Sequence, residues 1–185
     1  SPRDPGFISE TLTRPPAGLL RAEAELLSLA LDDIDIAFSV VAHLEPADML
    51  TSEDAEILLA MQEQLASEAR IDPVALAEGL PEEGGARHRC VELTVASVQR
   101  TEAEDAEVRR AQTDETIGRL RTHRQLGGMV ARGACVAPDD EDDTIVEDFQ
   151  QLQRMVVEGL NSGQLSPDDP IVTQYQEACR RARGS

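Results

Sequence analysis

The sequence contains no lysine and no tryptophan, and its only aromatic residues are one tyrosine and three phenylalanines. All 17 basic residues are therefore arginines, set against 36 acidic ones, for a formal net charge of −19. A surface that binds a nucleic-acid duplex needs clustered cations to displace counterions from phosphates, and this balance argues against one. It argues equally against an anionic membrane as a partner. The densest basic group, Arg119, Arg121 and Arg124, follows Asp114 and Glu115 and reads as a solvated helix face. No apolar run approaches the roughly 20 residues of a membrane span, and the N-terminal residues lack a signal-peptide core. Three cysteines, Cys90, Cys135 and Cys179, stand far apart with no CxxC spacing. They form neither a disulfide framework nor a zinc site, and reduced thiols in the cytoplasm are the simple account.

What is abundant is alanine, leucine, valine, glutamate and arginine. Scarce aromatics disfavour sheets and this set favours helices, so the expected fold is all-α. Residues 1–16 read as a linker tail, with Pro15-Pro16 closing it. A helical bundle is expected over 17–100. Its first helix, Ala17 to Leu31, carries Leu19, Leu20, Leu26, Leu27, Ala30 and Leu31 on a wide apolar face. Asp32 and Asp33 can cap a second helix, Ile34 to His43, Thr51 or Ser52 starts a third, and Asp72-Pro73 opens a short fourth that ends at Gly79. A fifth runs from about Arg87 to Gln99.

Residues 101–132 read as one long connecting helix of thin apolar content. The run Pro138 to Asp143, within 133–143, is too acidic to pack and reads as a loop. The segment 144–185 then predicts an antiparallel helical hairpin. Ile145, Phe149, Leu152, Val156 and Leu160 line its first helix; Val172, Tyr175, Cys179 and Ala182 line its second.

Candidate chemistry is sparse. Asp33-x-Asp35 is better explained by capping than by metal binding, because no strand precedes it. The acidic loop lacks the glycine and glutamate positions of an EF-hand. Glu53-x-x-Glu56 with Glu102-x-x-Asp105 resembles the paired carboxylate motifs of all-helical, Mg²⁺-dependent nucleotide pyrophosphohydrolases, but the first motif lacks its leading glutamate. His43, His88 and His123 have no acid or cysteine at nucleophile or metal spacing, and no phosphate loop, GxSxG or HExxH occurs. The expectation is a chain without catalytic residues, metal or cofactor. Met155, Val157, Leu165 and Ile171 are left over once the hairpin stripes are assigned. They either dock a partner or pack back on the rest of the chain.

The segments RPPAGLLRAEAELLSLAL, HLEPADMLTSEDAEILLAMQEQL and IDPVALAEGL occur in an order that resembles the C-terminal helicase-binding domain of bacterial DnaG-type DNA primases. Leu44, Pro46 and Asp48 match that family's turn, with Met49 where an aromatic is usual; the pattern extends over about residues 14–183. The resemblance implies a protein-interaction domain that docks on the hexameric replicative DNA helicase and couples RNA primer synthesis to fork unwinding. The nucleotidyltransferase and zinc-binding domains would lie elsewhere in the parent primase. It also implies a bundle that modulates the helicase and a C-terminal hairpin that supplies the docking surface. On that basis Leu165, Ile171, Val172, Tyr175 and Cys179 are the expected partner-binding residues, with Tyr175 as anchor. A domain-swapped dimer through the hairpin is a further expectation. The helicase's own N-terminal domain, which often opens on a similar PP-x-x-x-x-AE segment, is the alternative reading.

Overall fold

Three of the helix starts are set by a side chain that accepts hydrogen bonds from the otherwise unpaired N–H groups of the first turn. Asp33 accepts from Asp35 and Ile36, Thr51 from Asp54, and Asp72 from Val74 and Ala75. These caps open α2 (Ile34–His43), α3 (Ser52–Glu68) and α4 (Pro73–Gly79). The computed structural model describes residues 15–100, 105–134 and 143–183. Within them it is all-helical, with α1 (Ala17–Asp32), α5 (Ala86–Val98), α6 (Ala106–Ala134), α7 (Asp143–Ser162) and α8 (Pro170–Arg183) completing eight α-helices and no strand. Residues 1–14 of the tail expected over 1–16 and residues 135–142 of the acidic loop expected over 133–143 lie outside the described residues, whereas Gly133 and Ala134 close α6 and Asp143 opens α7.

The chain divides into two compact units, Gly18–Arg121 and a second made of Thr122–Ser185 with Ser1–Ala17. In the first, α1 to α5 surround a core in which Leu27, Leu44, Ile57, Leu58 and Met61 are fully or almost fully buried. The link from α2 to α3 is a 3-10 turn, Pro46–Asp48. Leu44 plugs the core, Pro46 sets the backbone at the start of the turn, and the Asp48 carboxylate closes it by accepting the Glu45 N–H at 2.8 Å. The three motif residues thus share one structural task. α3 ends with Ala69 in the left-handed conformation at φ 53°. A Cβ is strained there, so Ala69→Gly is expected to raise the midpoint of urea unfolding by an amount equivalent to about 0.5–1 kcal/mol.

The long connecting helix expected over 101–132 is α6, and it contributes buried positions to both cores. Thr113, Ile117 and Leu120, at helical spacing, are buried, and the latter two belong to the first core. Leu126 and Val130 belong to the second. Each unit buries one narrow stripe of the helix, which is why so few apolar residues suffice.

In the second unit Phe149, Val156, Val157 and Leu160 of α7 pack with Val172, Tyr175 and Cys179 of α8. Phe149 and Tyr175 stack with ring centroids 5.9 Å apart. The connecting turn depends on Gly163 at φ 72°, a conformation that suits glycine. Behind it, the Gly159 carbonyl accepts from both Gln164 and Leu165. Leu165 folds back over Gly159 so closely that a Cβ there would meet Leu165 Cδ1 at 3.2 Å.

Candidate functional site

The five residues expected to meet a partner separate into two groups. Val172, Tyr175 and Cys179 are buried in the core of their own unit, Tyr175 at 0 % exposure. Its hydroxyl accepts from Gln153 Nε2 at 3.3 Å, and burial, foremost, pushes its pKa further above the ordinary tyrosine value. Tyr175, expected as the anchor of a partner contact, is thus packed inside its own unit with no ring surface exposed. Leu165 and Ile171 are half-buried at the turn between α7 and α8 and keep one side toward solvent. Of the other leftover residues, Val157 is buried, whereas Met155 is 49 % exposed. Met155 lies one helical turn before Gly159 on the same face of α7, and Leu165 covers Gly159. The apolar outer surface of this unit therefore runs from Met155 toward Leu165.

The most unusual chemistry lies in the other unit and was not legible as a motif. Glu23 and Asp54 are both 0 % exposed. Glu23 occupies the inward face of α1, four residues after Leu19 and three before Leu26, where a charged residue breaks an apolar stripe. That break was the available signal. One oxygen, Oε2, accepts the Leu50 N–H at 2.8 Å, while Oε1 receives no donor. Asp54, at the start of α3, accepts from Arg89 of α5 through Nε at 3.0 Å and Nη2 at 3.4 Å.

Burial, first, and the hydrogen bond to Asp54, second, push the Glu23 carboxyl up to about 9, against the lowering effect of the Leu50 N–H. At neutral pH Glu23 therefore keeps its proton, so no second negative charge is buried beside Asp54. Arg89 supplies the counter-charge to the Asp54 carboxylate. The Asp54 hydrogen bond, in turn, holds the Arg89 guanidinium still more firmly protonated. The arrangement ties α1, the residues before α3, α3 and α5 together. Ser28 adds a second tie, donating to the Leu93 carbonyl at 2.9 Å.

The carboxylates considered for metal binding have ordinary surroundings. Asp33 caps α2, Glu53 is half-buried, Glu56 is exposed, and Glu102 lies outside the described residues. Among the described residues no group of three or more His, Cys, Asp or Glu side chains is placed to hold a metal ion. His43 Nδ1 lies 2.8 Å from the Ser39 carbonyl, and His88 pairs with Glu92 at 3.2 Å on the surface. Burial lowers the pKa of His123. Cys90 is fully buried and its thiol is pushed up by desolvation, so it behaves as a small core residue. Arg119, Arg121 and Arg124 are exposed.

A hollow of about 120 Å³ between α1 and α6 is lined by Ala22, Leu26, Leu29, Thr113, Thr116 and their neighbours. That is well below the several hundred Å³ of an ordinary small-molecule site. No described helix is long and apolar enough to cross a membrane.

No family model matches the chain, and no curated protein or solved structure matches it. The residues themselves carry the functional reading.

Proposed function

We propose that the chain is the helicase-docking domain of a bacterial DNA primase, acting in the cytoplasm to hold primer synthesis at the unwinding fork. In this reading Gly18–Arg121 is the helical bundle that modulates the hexameric replicative helicase, and α7 and α8 form the hairpin that docks on it. The observation that carries the reading is the turn after α2. Leu44, Pro46 and Asp48, the residues on which the resemblance rests, together build one closed turn between two core helices.

The docking face is drawn from the outer side of the second unit: Met155, with Leu165 and Ile171 at the turn. Val172, Tyr175 and Cys179 support that face from beneath. Apolar contacts supply affinity, and the acidic surface around them steers and orients the approach. The test is binding of the whole chain to the replicative helicase of the same organism. Met155→Asp with Ile171→Asp is expected to weaken it by at least about tenfold, because each change places a charge in a desolvated contact. Helical content, read by circular dichroism, should stay unchanged. Undiminished affinity in the double variant would place the interface elsewhere.

A further inference from the structure

α2 is apolar on both of its sides. Ile36, Ala37 and Val40 face the core of the first unit and are buried. On the opposite side, Ile34, Phe38 and Ala42 repeat every four residues and form a second stripe. Asp35, Ser39 and His43 form a polar stripe beside it, so among the described residues α2 buries one apolar side and leaves the other about half exposed. Phe38 is 47 % exposed and Ile34 41 %, whereas Phe149 and Tyr175 are buried.

The surroundings of this stripe carry one sign of charge. Asp32 and Asp35 are exposed at its start, Asp33 is half-buried beside them, and Glu45 is exposed beyond its end. Among the described residues neither Asp32 nor Asp35 enters an ion pair. The imidazole of His43, in the last turn, lies against the Ser39 carbonyl. A half-exposed phenylalanine beside unneutralised carboxylates calls for a partner that brings both apolar surface and positive charge. The net charge of −19 opposes a second copy of the chain as that partner.

We infer that the outer face of α2 docks an amphipathic helical segment of another protein, whose apolar side chains cover Ile34 and Phe38 while flanking lysines or arginines meet Asp32 and Asp35. This surface goes beyond the helicase-docking reading: it lies in the other unit and uses none of the residues around Met155. Apolar side chains spaced three and four apart on the segment would lie along the stripe, and the carboxylates fix which flank of the segment faces α2.

The probe is a synthetic helical peptide with leucines at that spacing and lysines beside them, compared with a leucine/glutamine peptide of equal helicity. Binding to the full chain is read by amide chemical shifts and by fluorescence anisotropy at two salt concentrations. The leucine/lysine peptide is expected to shift α2 amides and to bind at least about tenfold more weakly to Phe38→Ser. Asp32→Asn with Asp35→Asn, which leaves the apolar stripe intact, should weaken binding and flatten its salt dependence. Met155→Asp should change nothing here, so this surface and the helicase surface fail or stand separately.

Equal binding to the wild-type chain and Phe38→Ser would show general attraction to an acidic protein and overturn the proposal. So would equal binding of the leucine/glutamine peptide, or binding of neither. Sedimentation showing a dimer that Phe38→Ser dissolves would make a second copy the occupant. A gain in peptide affinity on removing residues 1–14, which include Phe7 and Ile8, would give that place to the chain's own N-terminal segment. Either result would overturn the assignment to another protein.

Discussion

Replacing Arg89 by leucine is expected to destabilise the Gly18–Arg121 unit by about 3–5 kcal/mol, the largest single-residue effect outside its apolar core. Asp54 is buried, with its side chain 1 % exposed, and Arg89 is its ion-pair partner at 3.0 Å. Removing the guanidinium leaves the carboxylate without counter-charge and beside Glu23. The cost follows from that uncompensated group rather than from any large intrinsic value of the pair, since desolvation offsets much of the attraction in the intact site. The contrast is Arg87→Leu. Arg87 meets Glu82 at 3.1 Å, but the Glu82 side chain is 82 % exposed, so water can replace the ion pair. Part of any loss there reflects the hydrogen bonds from Arg87 to the Leu80 and Glu78 carbonyls. Amide hydrogen exchange of α1, α3 and α5 separates this unit from the other. A loss at Arg89 no greater than at Arg87 would mean that Asp54 is not the buried charge described here.

Glu23→Gln should remove a pH dependence. The folded carboxyl titrates near 9 and the unfolded one near the ordinary 4.5, so the folded state holds one more proton throughout that window. The site's contribution is fully present below about 4.5, falls as pH rises, and is lost above about 9. The slope is at most about 1.4 kcal/mol per pH unit. Glutamine keeps an acceptor for the Leu50 N–H and has no proton to lose. The variant should therefore come closest to the wild type near pH 4.5 and gain on it steadily as pH rises toward 9. A chain this acidic also gains stability at low pH from reduced self-repulsion, and the difference between the two proteins cancels that shared effect. A carbon-13 titration of the Glu23 carboxyl with a midpoint near 4.5 would refute the protonated state of Glu23 directly.

The parts of the fold that were legible in the sequence are those governed by local chemistry. Asp33, Thr51 and Asp72 mark helix starts because an N-cap acts within three residues. The stripe of Phe149, Val156 and Leu160 against Val172, Tyr175 and Cys179 was readable because both helices expose one strongly polar side. Glu23 was not readable in this way. Its burial depends on three elements converging on it: the α1 register, the Leu50 N–H and Asp54. In a sequence with 36 acidic residues a single inward one is masked by the many that face water. The burial of Tyr175 was not readable either. Aromatic residues favour both cores and interfaces, and spacing alone places a residue on a stripe without saying whether another helix already covers it. The division of α6 escaped for the same reason: Ile117 and Val130 look like isolated apolar residues until each is set against its own core.

In the proposed reading the first unit modulates the partner and the second holds it. The buried Glu23–Asp54–Arg89 group locks the helices of the first unit, and the second unit presents Met155 beside a turn fixed by Gly163. Docking on the replicative helicase is tested most directly by calorimetric titration of the whole chain into the hexameric helicase of the same organism. Saturable binding is expected, weakened by at least about tenfold in Met155→Asp with Ile171→Asp and left in place by Glu23→Gln. A titration without saturable heat, together with no co-migration of the two proteins on size exclusion, would contradict it.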